Sequence, residues 1–113
     1  MVLCLGIEST AHTFASAVIE YTKNDTKFKI LSDYRQTYKS PQGTGIHPRE
    51  ASRHHALVSP EITRNAMKSS NVDYNDLDFI AYSKGPGLGP CLRVGAVIAR
   101  SLASFYSKPL IPV

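Results

Sequence analysis

The sequence predicts an α/β domain built on one mixed sheet of five strands, in the order β-β-β-α-β-α-β. Three observations carry this. The chain opens on a nearly continuous apolar run, Met1–Ile7, closed by Glu8, the pattern of a strand buried at the centre of a sheet. Two more strand-like segments follow across short polar turns, which signals antiparallel pairing. The last third alternates strand, helix and strand, and that order requires parallel pairing through helical crossovers.

The elements follow in order. After Met1–Glu8 comes a polar break, Ser9–His12, and then Thr13–Tyr21, rich in Ala, Val and Ile. Thr22–Thr26 holds Asn24 and Asp25 and reads as a turn. Phe28–Tyr38 alternates as a third strand. Ser40–Pro48, with two prolines and two glycines, reads as a surface loop. Pro48 suits a first helical turn, and Ala51, His55, Val58, Ile62 and Ala66 follow at helical spacing. Pro60 either kinks this helix or starts a second one capped by Ser59. Asn71–Asp76 is turn-like, and Leu77–Ser83 is the next strand. The segment Gly85–Pro90 holds three glycines and two prolines, so it is assigned to a loop. Leu92–Tyr106 reads as an apolar helix, and Leu110–Ile111 as a short buried strand between Pro109 and Pro112.

Composition bounds the function classes. The 113 residues suit one domain, since domains usually take about 100–200 residues. No apolar run approaches the ~18 residues of a membrane-spanning helix, and the apolar start lacks the basic flank of a cleavable signal. The net charge of +4 is unevenly placed. Residues 1–78 balance nine basic side chains against nine acidic ones, whereas residues 79–113 hold Lys84, Arg93, Arg100 and Lys108 and no acid. That fits either a solvated helix face or an anionic partner. Cys4 and Cys91 have no partner at ligand or disulfide spacing, so each is expected as a small buried hydrophobe in a reducing, cytoplasmic compartment.

Two turns are suited to anions. In the first, Glu8, Ser9 and Thr10 end the central strand, where a carboxylate, hydroxyls and exposed amides can face a phosphate or a metal-bound water. An ordinary Ser/Thr turn is the plainer alternative. The second is the glycine loop, with Lys84, Gly85 and Gly87 at its mouth, where backbone amides and a helix N-terminus can meet an anion. Its Gly-x-Gly-x-Gly spacing is neither Gly-x-Gly-x-x-Gly nor a phosphate-binding loop ending Gly-Lys-Ser/Thr, so packing of a tight connection remains an alternative. His12, His47, His54 and His55 lack metal-ligand spacing; successive helical residues point about 100° apart, which argues against a shared ion at His54 and His55. No metal site is expected within these residues. Arg49 and Glu50 are expected to fix the loop against the helix.

Three segments together carry a resemblance. Val2–Thr13 (VLCLGIESTAHT), His47–His55 (HPREASRHH) and Ser83–Gly95 (SKGPGLGPCLRVG) resemble the tRNA N6-adenosine threonylcarbamoyltransferase family, formerly called O-sialoglycoprotein endopeptidases. His12 after Thr-Ala and the Gly-Leu-Gly-Pro-Cys-Leu-Arg loop favour the archaeal and eukaryotic branch, the catalytic subunit of the KEOPS complex. The resemblance implies an actin-like ATPase (ASKHA, ribonuclease H-like) lobe with a five-stranded mixed sheet. It implies transfer of a threonylcarbamoyl group from threonylcarbamoyl-AMP to N6 of the adenosine beside the anticodon, in tRNAs reading codons that begin with A. It also implies a bound Fe or Zn ion, a nucleotide ligand (threonylcarbamoyl-AMP or ATP), and as partners tRNA, a small dimerising KEOPS subunit on this lobe and a kinase-like subunit. Family members exceed 300 residues, and their His-x-x-x-His metal pair has no counterpart in these 113. The expectation is an N-terminal lobe, residues 1–113, inactive alone. A partner-binding module and an ASKHA phosphotransferase are the alternatives; a metal-dependent glycoprotease lacks any zinc-protease motif.

Overall fold

The computed structural model describes residues 1–113. The strands are β1 (Val2–Glu8), β2 (Thr13–Thr22), β3 (Lys27–Thr37), β4 (Phe79–Tyr82) and β5 (Leu110–Pro112), and the helices are α1 (Pro48–Ser70) and α2 (Gly89–Tyr106), with a single 3₁₀ turn at Tyr74–Asp76. The sheet runs β3-β2-β1-β4-β5. β1–β2 and β2–β3 are antiparallel, and β1–β4 and β4–β5 are parallel. The mixed sheet and the central place of the first strand are therefore as the sequence predicts.

The period-2 pattern sorts side chains onto two unlike faces. On one face Leu3, Leu5, Ile7, Phe14, Val18 and Ile80 are buried beneath Ile62 and Met67 of α1 and Ala99 and Ala103 of α2. Each fully buried side chain such as Leu5 or Phe14 contributes about 1.5–3 kcal/mol. On the other face Cys4, Gly6, Ala15, Ala17 and Ala81 are only half-buried and carry no helix. The Asp78 carboxylate accepts the Leu3 N–H at 2.7 Å and fixes where β4 meets the start of β1.

The structure decides the alternative left open at Pro60 and differs from the sequence reading in two details, each for a physical reason. Pro60 lies inside one uninterrupted helix. The Ala56 carbonyl, which a residue-60 amide would normally satisfy, instead accepts the Ser59 hydroxyl at 3.2 Å. Helix α2 begins at Gly89, not Leu92, because Pro90 sits in the first turn, where its missing N–H costs nothing. The last strand is not buried: β5 is a sheet edge, and Ile111 is 42% exposed.

Candidate active site

β1 and β2 part after the Glu8–Ala15 pair, and residues 9–12 make the turn between them. This turn is locked from below by Ser9, which is fully buried. Its hydroxyl donates to the Cys91 carbonyl at 2.8 Å and accepts the Gly95 N–H at 3.1 Å. Gly95 is required here, because a Cβ would overlap Ser9 Oγ. Gly87 is required for the same kind of reason: a Cβ would lie 2.5 Å from the Thr10 carbonyl. The two turns that the sequence offered separately are thus one interlocked unit.

The next three carbonyls are each held by a different element. Thr10 O accepts the Leu88 N–H at 2.7 Å, and His12 O accepts the Tyr38 N–H at 2.7 Å. Ala11 O lies 2.7 Å from His55 Nε2 of α1. Glu8 is exposed, and its Oε1 accepts the Thr10 N–H and the Ser83 hydroxyl, the latter at 3.2 Å. Ser83 Oγ in turn accepts the Ser9 N–H at 3.2 Å. Oε1 is therefore engaged, and Oε2 has no hydrogen-bond partner within the chain.

Two cavities meet at Glu8. One, about 630 Å³, opens over the uncovered sheet face and is lined by Glu8, Thr10, His12, Thr13, Asp33 and Arg35 among others. The second, about 280 Å³, continues across Gly6, Ala17, Ala81 and Tyr82. Their floor is small and apolar, and the polar groups gather at the turn, the usual layout of a ligand site. Ala15 pairs with Arg35 and Ala17 with Asp33, and Asp33 and Arg35 form an ion pair at the rim. Sequence reasoning missed these two; the hairpin register is the signal that finds them.

Each sequence-selected residue has a definite place. Glu8 and Thr10 face the cavity, whereas the Ser9 hydroxyl is committed to α2. Lys84 is exposed beside Ser83, and its N–H bonds Val113 O at 2.9 Å. Gly85 takes φ +143°, which glycine favours, and Gly87 carries the close approach. Glu50 accepts the Tyr38 hydroxyl at 3.3 Å and so ties α1 to the end of β3. His54 and His55 touch each other despite their helical divergence, with 3.0 Å between Nδ1 atoms. Burial lowers both their pKa values. Cys91 is buried and Cys4 half-buried, and burial pushes the Cys4 thiol up to about 11. Nowhere do three His, Cys, Asp or Glu side chains gather at ligating range, so these residues do not form a cage for the Fe or Zn ion.

The fold has clear relatives. YeaZ from Pseudomonas aeruginosa superposes over 100% of this chain and 43% of its own with a TM-score of 0.73 at 16% identity. Thermus thermophilus RuvC superposes over 99% of this chain and 63% of its own with a TM-score of 0.57, also at 16% identity. These likenesses show the actin-like ATPase, ribonuclease H-like fold alone. Sequence comparison goes further. The proteins named tRNA N6-adenosine threonylcarbamoyltransferase from Caldivirga maquilingensis and Ignicoccus hospitalis are each 50% identical to this chain, over 98% and 96% of its length. The chain spans about a third of those relatives, 32% and 31% respectively. The family model for TsaD, tRNA N6-adenosine threonylcarbamoyltransferase, matches residues 29–113. By that match the chain belongs to the tRNA N6-adenosine threonylcarbamoyltransferase family.

Proposed function

We propose that residues 1–113 form the N-terminal lobe of a two-lobed tRNA-modifying transferase, and that the turn at Glu8–Thr10 is this lobe's wall of the active cleft. The substrate is threonylcarbamoyl-AMP, and the acceptor is N6 of the adenosine beside the anticodon in tRNAs reading codons that begin with A. In the transfer, a bond forms between N6 and the carbamoyl carbon, the bond from that carbon to the phosphate oxygen breaks, and AMP leaves. The N6 amine must lose a proton as this happens. In this reading Glu8 receives it through the free Oε2, a role supported by the Thr10 N–H and Ser83 O–H contacts that hold Oε1 and so fix the carboxylate's orientation. Lys84, Gly85 and Gly87, beside the start of α2, supply positive potential for the AMP phosphate.

The observation that most supports this reading is the interlock of the two turns around Ser9, which preorganises Glu8 and the glycine loop as one surface. An Fe or Zn ion, if the enzyme uses one, takes its ligands from outside these residues in this reading, and no step above depends on it. The reading places the enzyme in the cytoplasm with its tRNA. No helix here is long and apolar enough to cross a membrane.

KEOPS subunits are the proposed protein partners. A groove of about 510 Å³ runs between α1 and α2 on the side away from the sheet, lined by Ala56, Val94, Val97 and Ile98 with Arg53 and Arg93 at its edge. Neither arginine has an ion-pair partner. This surface suits the small dimerising subunit if that subunit offers carboxylates around an apolar ridge. The test is reconstitution: the full-length protein, threonylcarbamoyl-AMP and tRNA should give threonylcarbamoyladenosine by nucleoside mass spectrometry. No product with the partner subunits and Fe or Zn present would sink the reading.

A further inference from the structure

The segment His47–His55 contributes one contact that the transfer chemistry leaves unexplained, the approach of His55 to the Ala11 carbonyl at 2.7 Å. Of the three consecutive turn carbonyls, two are held by backbone amides, from Leu88 and Tyr38. Only Ala11 O depends on a side chain.

The protons of this contact follow from the partners. A carbonyl only accepts, so His55 Nε2 carries a hydrogen. His55 is fully buried, and burial favours its neutral form over the opposing effects of the Ala11 hydrogen bond and the Glu8 charge. A neutral His55 has a lone pair on Nδ1, which faces His54 Nδ1 at 3.0 Å. His54 Nδ1 must then be the donor. A neutral His54 is left with a lone pair on Nε2, and that atom is buried with no partner. The rings are packed in place: Phe14 lies 6.2 Å from His55, and Tyr38 lies 5.8 Å from His54. Charged or titratable groups facing the pair are Glu8 from β1, His12 from the turn and Tyr38 beyond β3, whose hydroxyl donates in turn to Glu50 of α1.

We infer that His55, oriented by His54, is the positioning residue that sets the turn 9–12 for transfer, and that the pair holds the turn only while His55 is neutral. One hydrogen fits between the two Nδ1 atoms. A first added proton must enter at His54 Nε2, where no acceptor waits. A second would set N–H against N–H and push His55 off Ala11 O. The turn, with the Thr10 amide and the Glu8 carboxylate it orients, then loses its hold on α1. This inference rests on the transfer reading for its catalytic consequence, but its tautomer assignment stands independently.

The experiment uses the full-length enzyme in two arms. Long-range ¹H–¹⁵N correlation of the imidazoles should show hydrogen on Nε2 of His55 and on Nδ1 of His54; hydrogen on Nδ1 of His55 would overturn the inference. In the kinetic arm, His55→Gln places an amide N–H near the position of Nε2 and should keep kcat/KM within about threefold of wild type. His55→Ala should lose about tenfold or more, the usual size of one lost buried hydrogen bond. His54→Phe keeps an aromatic ring packed against Tyr38, removes the Nδ1 donor and should shift the acid limb of the pH–rate profile. Loss in His55→Gln equal to that in His55→Ala, or an unchanged acid limb in His54→Phe, would overturn the positioning role. If wild type gives no product, the transfer reading fails and the tautomer arm still decides the pair.

Discussion

The two faces of one sheet have opposite characters. The helix-covered face is built from Leu3, Leu5, Ile7, Phe14, Val18 and Ile80 and is closed to water. The other carries Gly6, Ala15, Ala17 and Ala81, stays open, and ends at Glu8. Large side chains hold the fold together, and small ones leave room over the cavity. The same division recurs within the turn: Ser9 points into the helices and is buried, while its neighbours Glu8 and Thr10 line the cavity. Stability and function are therefore expected to separate by face, even between adjacent residues.

Breaking the covered face should have the largest effect on stability. Phe14→Ala, at a fully buried position, is expected to cost about 3–5 kcal/mol, read as a lowered urea midpoint. Ser9→Ala comes next. It removes the two buried hydrogen bonds that tie the turn to α2, at a cost of about 0.5–1.5 kcal/mol each. An unchanged urea midpoint in Ser9→Ala would mean that the interlock does not hold the turn. Acidification acts through His54 and His55. Their folded pKa values lie below the ordinary 6.5, so below that pH the unfolded chain binds protons that the folded one refuses. Their contribution to stability is complete above pH 6.5 and is lost as pH falls toward the depressed values. His55→Gln should flatten that part of the stability–pH curve. The smallest effect belongs to the open face: Thr10→Val should shift stability by no more than about 0.5 kcal/mol, because its hydroxyl makes no hydrogen bond within the chain.

Much of this architecture was legible from the residues. The apolar run ending at Glu8 identifies the central strand, and the polar breaks and alternating segments give the whole element order. Local pattern was undecided or misplaced where a neighbour supplied what the residue lacked. Pro60 remains helical because the Ser59 hydroxyl occupies the Ala56 carbonyl, a compensation that propensity does not contain. Pro90 marks a helix start because the first turn needs no amide there. At the site, sequence located both turns but not their union, since the Ser9–Gly95 contact joins residues 86 positions apart. The same distance problem hid the His55–Ala11 contact, whereas the Asp33–Arg35 rim needed only the β2–β3 register. Motif order carried the family resemblance, whereas the direction in which each hydroxyl points had to come from the packed structure.

The most direct test of the open face as the active wall is the rate of threonylcarbamoyladenosine formation by full-length Glu8→Gln, set against its thermal midpoint. The substitution keeps the shape and removes the proton-accepting charge. The expected result is a loss of about 100-fold or more, the range for a general base, with the midpoint essentially unchanged. A wild-type rate in Glu8→Gln would contradict the assignment of this turn to the chemistry.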